Sequence, residues 1–349
     1  MGPDLPGKMG RGRCRGRAPN AAGFEPDASC LELAYMASRR EFLRRSAMAS
    51  TASLMSSGVA PDVTRERSVS IKPYQWEGAY AEYRTRQNAR HDWRLCAAVT
   101  AEWLRPCERI ILRTSEIIGH EAGFLYDDHF PPSEPEGRGK HYHHIPFEWQ
   151  RLKDGQELFT HGVVPEVGEF SMRLAARQDF VDIDLSIRNH MAQSMLNPDW
   201  AFCAVGFETF TVADSEDART YLFDGERLRS LGEIAGRDMR LYKVAGAHGF
   251  IPVGHRSLPV GPVEAKASVV IIEAVDQIHS VALGFEQADH IYGDAKGNKC
   301  FHADPYFGSE LKSGEESKIR GRLYLMRGTA EDASNRYRRD FMNGHQRSG

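Results

Sequence analysis

From about residue 92 the chain takes on a strand-like pattern of apolar and polar positions. The cleanest stretch is 180–189, F-V-D-I-D-L-S-I-R-N. Val181, Ile183, Leu185 and Ile187 fall on one side, and Asp182, Asp184, Ser186 and Arg188 on the other. This period of two is that of a half-buried strand. Arg109 to Ile118, R-I-I-L-R-T-S-E-I-I, is rich in β-branched residues and predicts another. Further strands are expected at 202–212, 220–223, 239–244, 267–275, 280–287 and 318–326. Turn signals lie between several of them, at Asp224-Gly225, Gly293-Asp294, Gly297-Asn298 and Ser313-Gly314. Helical spacing is scarce and clearest over 330–342, with Thr329 as N-cap and Ala333, Tyr337 and Phe341 recurring at i+4. Many strands without interleaved helices predict an all-β fold, a large antiparallel β-sandwich with a short C-terminal helix, and not a βαβ fold. No internal repeat, Rossmann glycine-rich turn or P-loop is found in the sequence.

Residues 1–60 do not share this pattern. Ser38-Arg39-Arg40-Glu41-Phe42-Leu43-Arg44 resembles the twin-arginine export signal at every position of that motif. A weakly apolar stretch from Ala47 to Met55 and the small-residue site Gly58-Val59-Ala60 follow in the order that export signals use. Met36 stands just before the motif, while residues 1–35 are rich in Arg, Gly and Pro. The expected organisation is therefore an over-translated leader at 1–35, a twin-arginine signal peptide at 36–60, a linker and lead-in strand at 61–90, and a single β-sandwich domain at 91–342. The expected location is periplasmic or extracellular, with the twin-arginine export machinery as a partner. That route carries folded cargo, often folded around a cofactor, so it adds weight to a metal or cofactor without establishing one.

The 349 residues are 41% hydrophobic and 27% charged, as in ordinary globular proteins. No run of 18 or more apolar residues is present, so no membrane span is expected. Residues 1–60 carry nine Lys/Arg against five Asp/Glu, leaving 36 against 43 for the rest. An acidic body of this kind has no electrostatic footprint for nucleic acid or an anionic membrane. Cys96, Cys107, Cys203 and Cys300 of the body show no C-x-x-C spacing, which leaves a zinc ribbon or thioredoxin-like motif unsupported. Export would allow disulfides, but a domain of this size does not need them, and buried thiols are the expected state.

Three segments carry candidate chemistry. In 127–150, His141 and His143 share a face if the chain is extended, and Glu148 follows. The run H-x-H-x4-E-x6-G resembles the first metal motif of cupins, although Pro135 stands where that motif has a glycine and no second motif follows. A transition metal held by His141, His143 and Glu148 is one reading. The other makes His143 or His144 a general acid/base, with Tyr142, Phe147 and Trp149 stacking on a sugar. A surface loop with packed aromatics is the bland alternative. In 298–308, His302 and Asp304 share a side if extended, so the carboxylate could orient the imidazole. Alternatively, Asp304-Pro305 marks a structural turn. In 197–221, Glu208 lies on a strand with no clean polar face. Arg219 and Tyr221 could meet a ligand, or could serve as a cross-strand ion pair and a core tyrosine.

The stretch from about 180 to 340 resembles exported proteins of planctomycete-type bacteria. The matching features are F-V-D-I-D-L-S-I-R-N, Phe202-Cys203, Arg219-Thr220-Tyr221, Cys300-Phe301-His302-Ala303-Asp304-Pro305 and the closing G-E-E-S-K-I-R-G-R-L-Y-L-M-R-G. Such proteins are similar to the galactose-mutarotase-like β-supersandwich, found in sugar epimerases, polysaccharide lyases and domains of glycoside-processing enzymes. The resemblance implies a His and a carboxylate doing acid/base work on a sugar. His143, His144 or His302 would supply the imidazole, and Asp304, Glu208 or Glu286 the carboxylate. Trp149, Tyr142, Glu208 and Arg219 would bind the substrate. Three functions stay open: a carbohydrate lyase or epimerase, a non-catalytic glycan-binding or cell-envelope protein, and a metal-dependent protein using 141–148.

Overall fold

The computed structural model describes residues 69–74, 96–121, 123–127, 148–205, 209, 211–214, 216–235, 240–247, 258–294 and 300–342. The chain divides into Met1–Val63 and Thr64–Gly349, and every described residue belongs to the second unit. The leader, the export signal, His141, Tyr142, His143, His144, Phe147 and Glu208 lie outside the described residues.

Two large antiparallel sheets make up the fold. Sheet A runs in the order β1 (Val69–Tyr74), β2 (Cys96–Ala101), β3 (Ile110–His120), β10 (Asp199–Val205), β17 (Cys300–Pro305), β16 (Ala288–Asp294), β13 (Tyr242–Lys243). A further strand, β4 (Gly123–Asp127), pairs with β3. Sheet B runs in the order β12 (Leu228–Ser230), β11 (Thr220–Phe223), β14 (Val269–Glu273), β15 (His279–Phe285), β19 (Glu316–Arg327), β8 (Phe180–Asn189), β7 (Gly168–Ala176), β6 (Glu157–Val164), β5 (Gln150–Leu152). A two-stranded ribbon joins β9 (Met195–Leu196) to β18 (Glu310–Leu311). No helix among the described residues is long and apolar enough to cross a membrane.

Alternation decides what each sheet buries. In β8 the odd residues Val181, Ile183, Leu185 and Ile187 are buried while their neighbours are half-buried, as the sequence predicts. They meet Leu112, Phe202, Ala204, Phe301 and Ala303 of sheet A in one continuous core. Edge-to-face aromatic pairs cross between the sheets. Phe170 of β7 meets Trp200 of β10 at 5.6 Å, and Phe202 meets Phe285 of β15 at 5.4 Å. Close packing also explains Gly321 of β19, where a Cβ would stand 2.3 Å from the Phe285 ring.

The outer face of sheet B carries a ladder of charges and, at one end, a helix. Helix α2 (Ala330–Tyr337) begins at Thr329, whose side chain and that of Asp332 form a reciprocal capping box. The preceding short helix, α1 (Leu231–Ala235), follows β12. Ala333 and Tyr337 of α2, with Phe341 from a wider helical turn over 338–342, cover Val269, Ile271, Ala282 and Tyr324. The Tyr337 hydroxyl donates to the carbonyl of Phe285 at 2.8 Å.

Three expectations need correction. The strand expected at 202–212 is β10, which ends at Val205. Gly293-Asp294 lies within β16 and is not a turn. Gly293 is small because a Cβ there would come within 3.1 Å of Leu231 and 3.2 Å of Asp217. Asp304-Pro305 closes β17 in extended form, and the Asp304 carboxylate accepts the Phe202 N–H of the neighbouring strand at 3.3 Å.

Candidate active site

The outer face of sheet A departs from the usual economy of a sandwich. The residues of β17 that face away from the core are Cys300, His302 and Asp304, since Phe301 and Ala303 belong to the core between the sheets. On β16 the same reasoning puts His290 and Tyr292 on the outer face, because Ile291 is a core residue. On β10 it puts Cys203 there, between core residues Phe202 and Ala204. On β3 it puts Arg113 there, next to core residue Leu112.

Register lines these side chains up. Cys96 pairs with Arg113, Arg113 with Cys203, Cys203 with His302, and His302 with Tyr292. A single row thus crosses five strands, and His290 opposite Asp304 forms the next rung. Around it Tyr74, Cys96, Ala98, Ile111, Val205 and Leu241 form a second, smaller apolar cluster.

These groups are withdrawn from water. His290 and His302 are 0% exposed, Asp304 1%, and Arg113 and Tyr292 3%. Burying ionisable groups costs several kcal/mol each unless partners compensate, and apolar side chains of the same volume would serve stability better. A cluster of this kind is therefore a functional-site candidate on energetic grounds.

Its centre is His302. The Tyr292 hydroxyl and His302 Nε2 are 2.6 Å apart, and the two rings stack with centroids 3.7 Å apart. On the other side, Asp304 Oδ1 lies 3.6 Å from Nδ1. At 3.6 Å this is a charge contact and not a hydrogen bond, so the short polar contact of the ring is the one between Nε2 and the Tyr292 hydroxyl. The side-chain donor atoms of Cys203, Cys300 and His302 all lie within 4.8 Å of one another. Tyr242, on β13, belongs to the core between the sheets and is no candidate base. Burial, helped by the Asp217 carboxylate, pushes its phenol up to about 12.

The structure brings together two of the residues expected from sequence, His302 and Asp304. Trp149 packs against the core and donates its indole N–H to the Cys96 carbonyl at 3.0 Å, so its ring is held in the sandwich. Glu148 is exposed beside it. Arg219 lies in the turn just before β11, and its guanidinium donates to the carbonyls of Glu273 and Ala213. Glu286 pairs with Arg320 at 2.6 Å. Of the body cysteines, Cys96, Cys203 and Cys300 are buried thiols, as expected, and Cys107 is an exposed one. Sequence reasoning passed over Arg113, His290, Tyr292, Cys203 and Cys300 as site residues. The alternations His290-x-Tyr292 and Cys300-x-His302-x-Asp304 were the available signal.

No protein-family model matches the chain, and no curated protein matches it. Solved structures similar to it include a galactose mutarotase related enzyme from Lactobacillus acidophilus, 11% identical, covering 66% of this chain and 91% of that one with a TM-score of 0.36. A galactose mutarotase-like protein from Clostridium acetobutylicum is 12% identical over 52% of this chain and 67% of its own, with a TM-score of 0.30. An aldose epimerase homologue from C. elegans is 10% identical over 52% of this chain and 69% of its own, with a TM-score of 0.27. Across the similar structures named first, the matched part spans from 53% to 91% of the other protein's length. Overlays this partial assign no residue of this chain a role, and its own geometry has to do so.

Proposed function

We propose that this is an exported, sugar-directed protein whose outer sheet A face carries out proton transfer on a carbohydrate carbon or ring oxygen. The observation that carries the reading is the buried chain of Asp304, His302 and Tyr292. Asp304 steadies the imidazole, Nε2 takes the phenol proton, and the Tyr292 oxygen then removes a proton from the substrate. The return steps deliver it again. Arg113, three strands from Tyr292 in the same row, adds a buried positive charge to this face. The ligand meets Tyr292, while His302 and Asp304 act through it. Because the whole row is buried, a sugar reaches Tyr292 only when this face opens. Glycan binding through His143, His144, Tyr142 or Glu208 is kept as a contribution from outside the described residues.

The test incubates full-length exported protein with a panel of aldoses, uronates and oligosaccharides in D2O. Nuclear magnetic resonance reports anomer exchange, deuterium entering at carbon, and unsaturated products. Turnover is expected for at least one sugar. Tyr292→Phe should lower it by roughly 10²-fold or more, as for loss of a general base. Sugars that bind without turnover or exchange would sink the catalytic reading and leave a binding protein. Export is tested separately. Arg39→Lys with Arg40→Lys should retain the protein in the cytoplasm, and unaltered export would remove the twin-arginine reading.

A further inference from the structure

We propose that Cys203, Cys300 and His302 form a binding site for one thiolate-seeking metal ion, Zn2+ or Cu+. The three donors come from two adjacent strands and point to one face. Cys300 and His302 are two residues apart on β17, and Cys203 lies directly opposite His302 on β10. Their donor atoms lie within 4.8 Å of one another. Tetrahedral zinc, with Zn–S near 2.3 Å and Zn–N near 2.0–2.1 Å, needs donors roughly 3.5–3.8 Å apart. An inward shift of about 1 Å closes that gap, within reach of side-chain rotation.

The two thiols are better placed for a metal than for each other. Cys203 has His302 opposite it, and Cys300 has Val205, so the cysteines are diagonal neighbours in the ladder. Diagonal positions are about 7–8 Å apart, whereas a disulfide needs Cα atoms about 4.4–6.8 Å apart. A metal ion bridges that diagonal because its two bonds add length that one S–S bond lacks. Burial of all three donors keeps competing water away. Two thiolates with an imidazole suit Zn2+ or Cu+, and not the hard ions Mg2+ or Ca2+.

Asp304 Oδ1 lies 3.6 Å from Nδ1, so its charge favours a cation at this imidazole, and the Tyr292 hydroxyl lies 2.6 Å from Nε2. A metal at Nε2 would displace the phenol, and one at Nδ1 would leave it in place. Binding balances as one M2+ taken up and two thiol protons released, with no change of oxidation state. For Cu+ the same two protons leave, and the bound centre carries one less positive charge. The site does not depend on the sugar-directed reading.

The test uses full-length protein freed of metal with a chelator and kept reduced. Titration with Co2+ should give one ion per chain, with intense thiolate-to-cobalt charge-transfer absorption that Zn2+ abolishes. Cys203→Ser and Cys300→Ser should each lose that absorption, whereas Tyr292→Phe should keep it. Tyr292→Phe thus separates the two proposals, because it lowers turnover by roughly 10²-fold or more and spares metal binding. Should the serine variants fail to fold, alkylation of the wild type decides. Zn2+ should slow modification of Cys203 and Cys300 at least tenfold and leave Cys107 unchanged. Uptake of one Cu+ with refusal of Co2+ supports the site with copper as its ion. Absence of all three ions, or a Cys203–Cys300 disulfide in the exported protein, overturns it.

Discussion

The two outer faces of the sandwich handle charge in opposite ways. On sheet B the charges stand half in water and are matched across strands. Arg188 meets Glu169 at 2.9 Å and Glu316 at 3.1 Å, and Arg322 meets Asp182 at 2.9 Å and Asp340 at 2.6 Å. Such pairs contribute modestly to stability and keep the face soluble. On sheet A an Arg, two His, an Asp, a Tyr and cysteines are withdrawn from water among apolar neighbours. The first arrangement is what a sheet does with charge when stability and solubility decide. The second is what the proposed proton transfer and metal binding would require.

The comparison can be broken most directly at Asp340. Its carboxylate accepts from Arg322, Tyr324 and Arg336, and so joins the turn after α2 to the ladder. Burial opposes its charge, but hydrogen bonds from Arg336, Tyr324 and Arg322 outweigh that and hold it below the usual carboxylate range. Asp340→Ala should cost about 2 kcal/mol in urea unfolding. A lowered folded-state pKa stabilises fully above the unfolded value near 4, and that contribution is lost as pH falls through the folded value. Wild type should therefore lose stability below about pH 4 more steeply than Asp340→Asn does. Equal slopes would show that the ladder contributes nothing there.

A smaller effect is expected at the helix that rests on the same face. Thr329→Ala removes the N-cap and should cost about 1 kcal/mol by the same measurement. Co2+ uptake on sheet A should be unaffected. A loss of both would mean that the two faces are coupled.

The smallest effect sharpens the contrast from the other side. His302→Phe with Tyr292→Phe, made together with Asp304→Asn so that no buried carboxylate loses its imidazole, replaces both partners of a buried hydrogen bond with apolar rings of similar shape. Such double replacements are close to neutral, so stability should stay within about 1 kcal/mol of wild type while metal binding and turnover vanish. A loss of several kcal/mol would make this row structural and end the argument for a site.

The same contrast governs what could be read from sequence. β8 was legible residue for residue because one face meets the core and the other meets water. The strand at 220–223 was also read correctly, and so was the Thr329 cap. β10 and β17 are buried on both faces, so alternation carried no signal, and their polar residues suggested turns or open strands. The site lies on those strands. His302 and Asp304 were visible as a pair two residues apart. Arg113, Cys203 and Tyr292 reach them through pairings between residues 10 to 99 positions apart, which local pattern does not encode.

The ends of the sheets have a consequence for behaviour in concentrated solution. Sheet B ends in β5 and β12, three residues each, and sheet A ends in β1, where Lys72 and Pro73 sit on the rim, and in the two-residue β13. Rims this short, or interrupted by a charge and a proline, offer another chain few backbone groups to zip onto. Among the described residues, fibre growth by strand addition is therefore discouraged at these four rims.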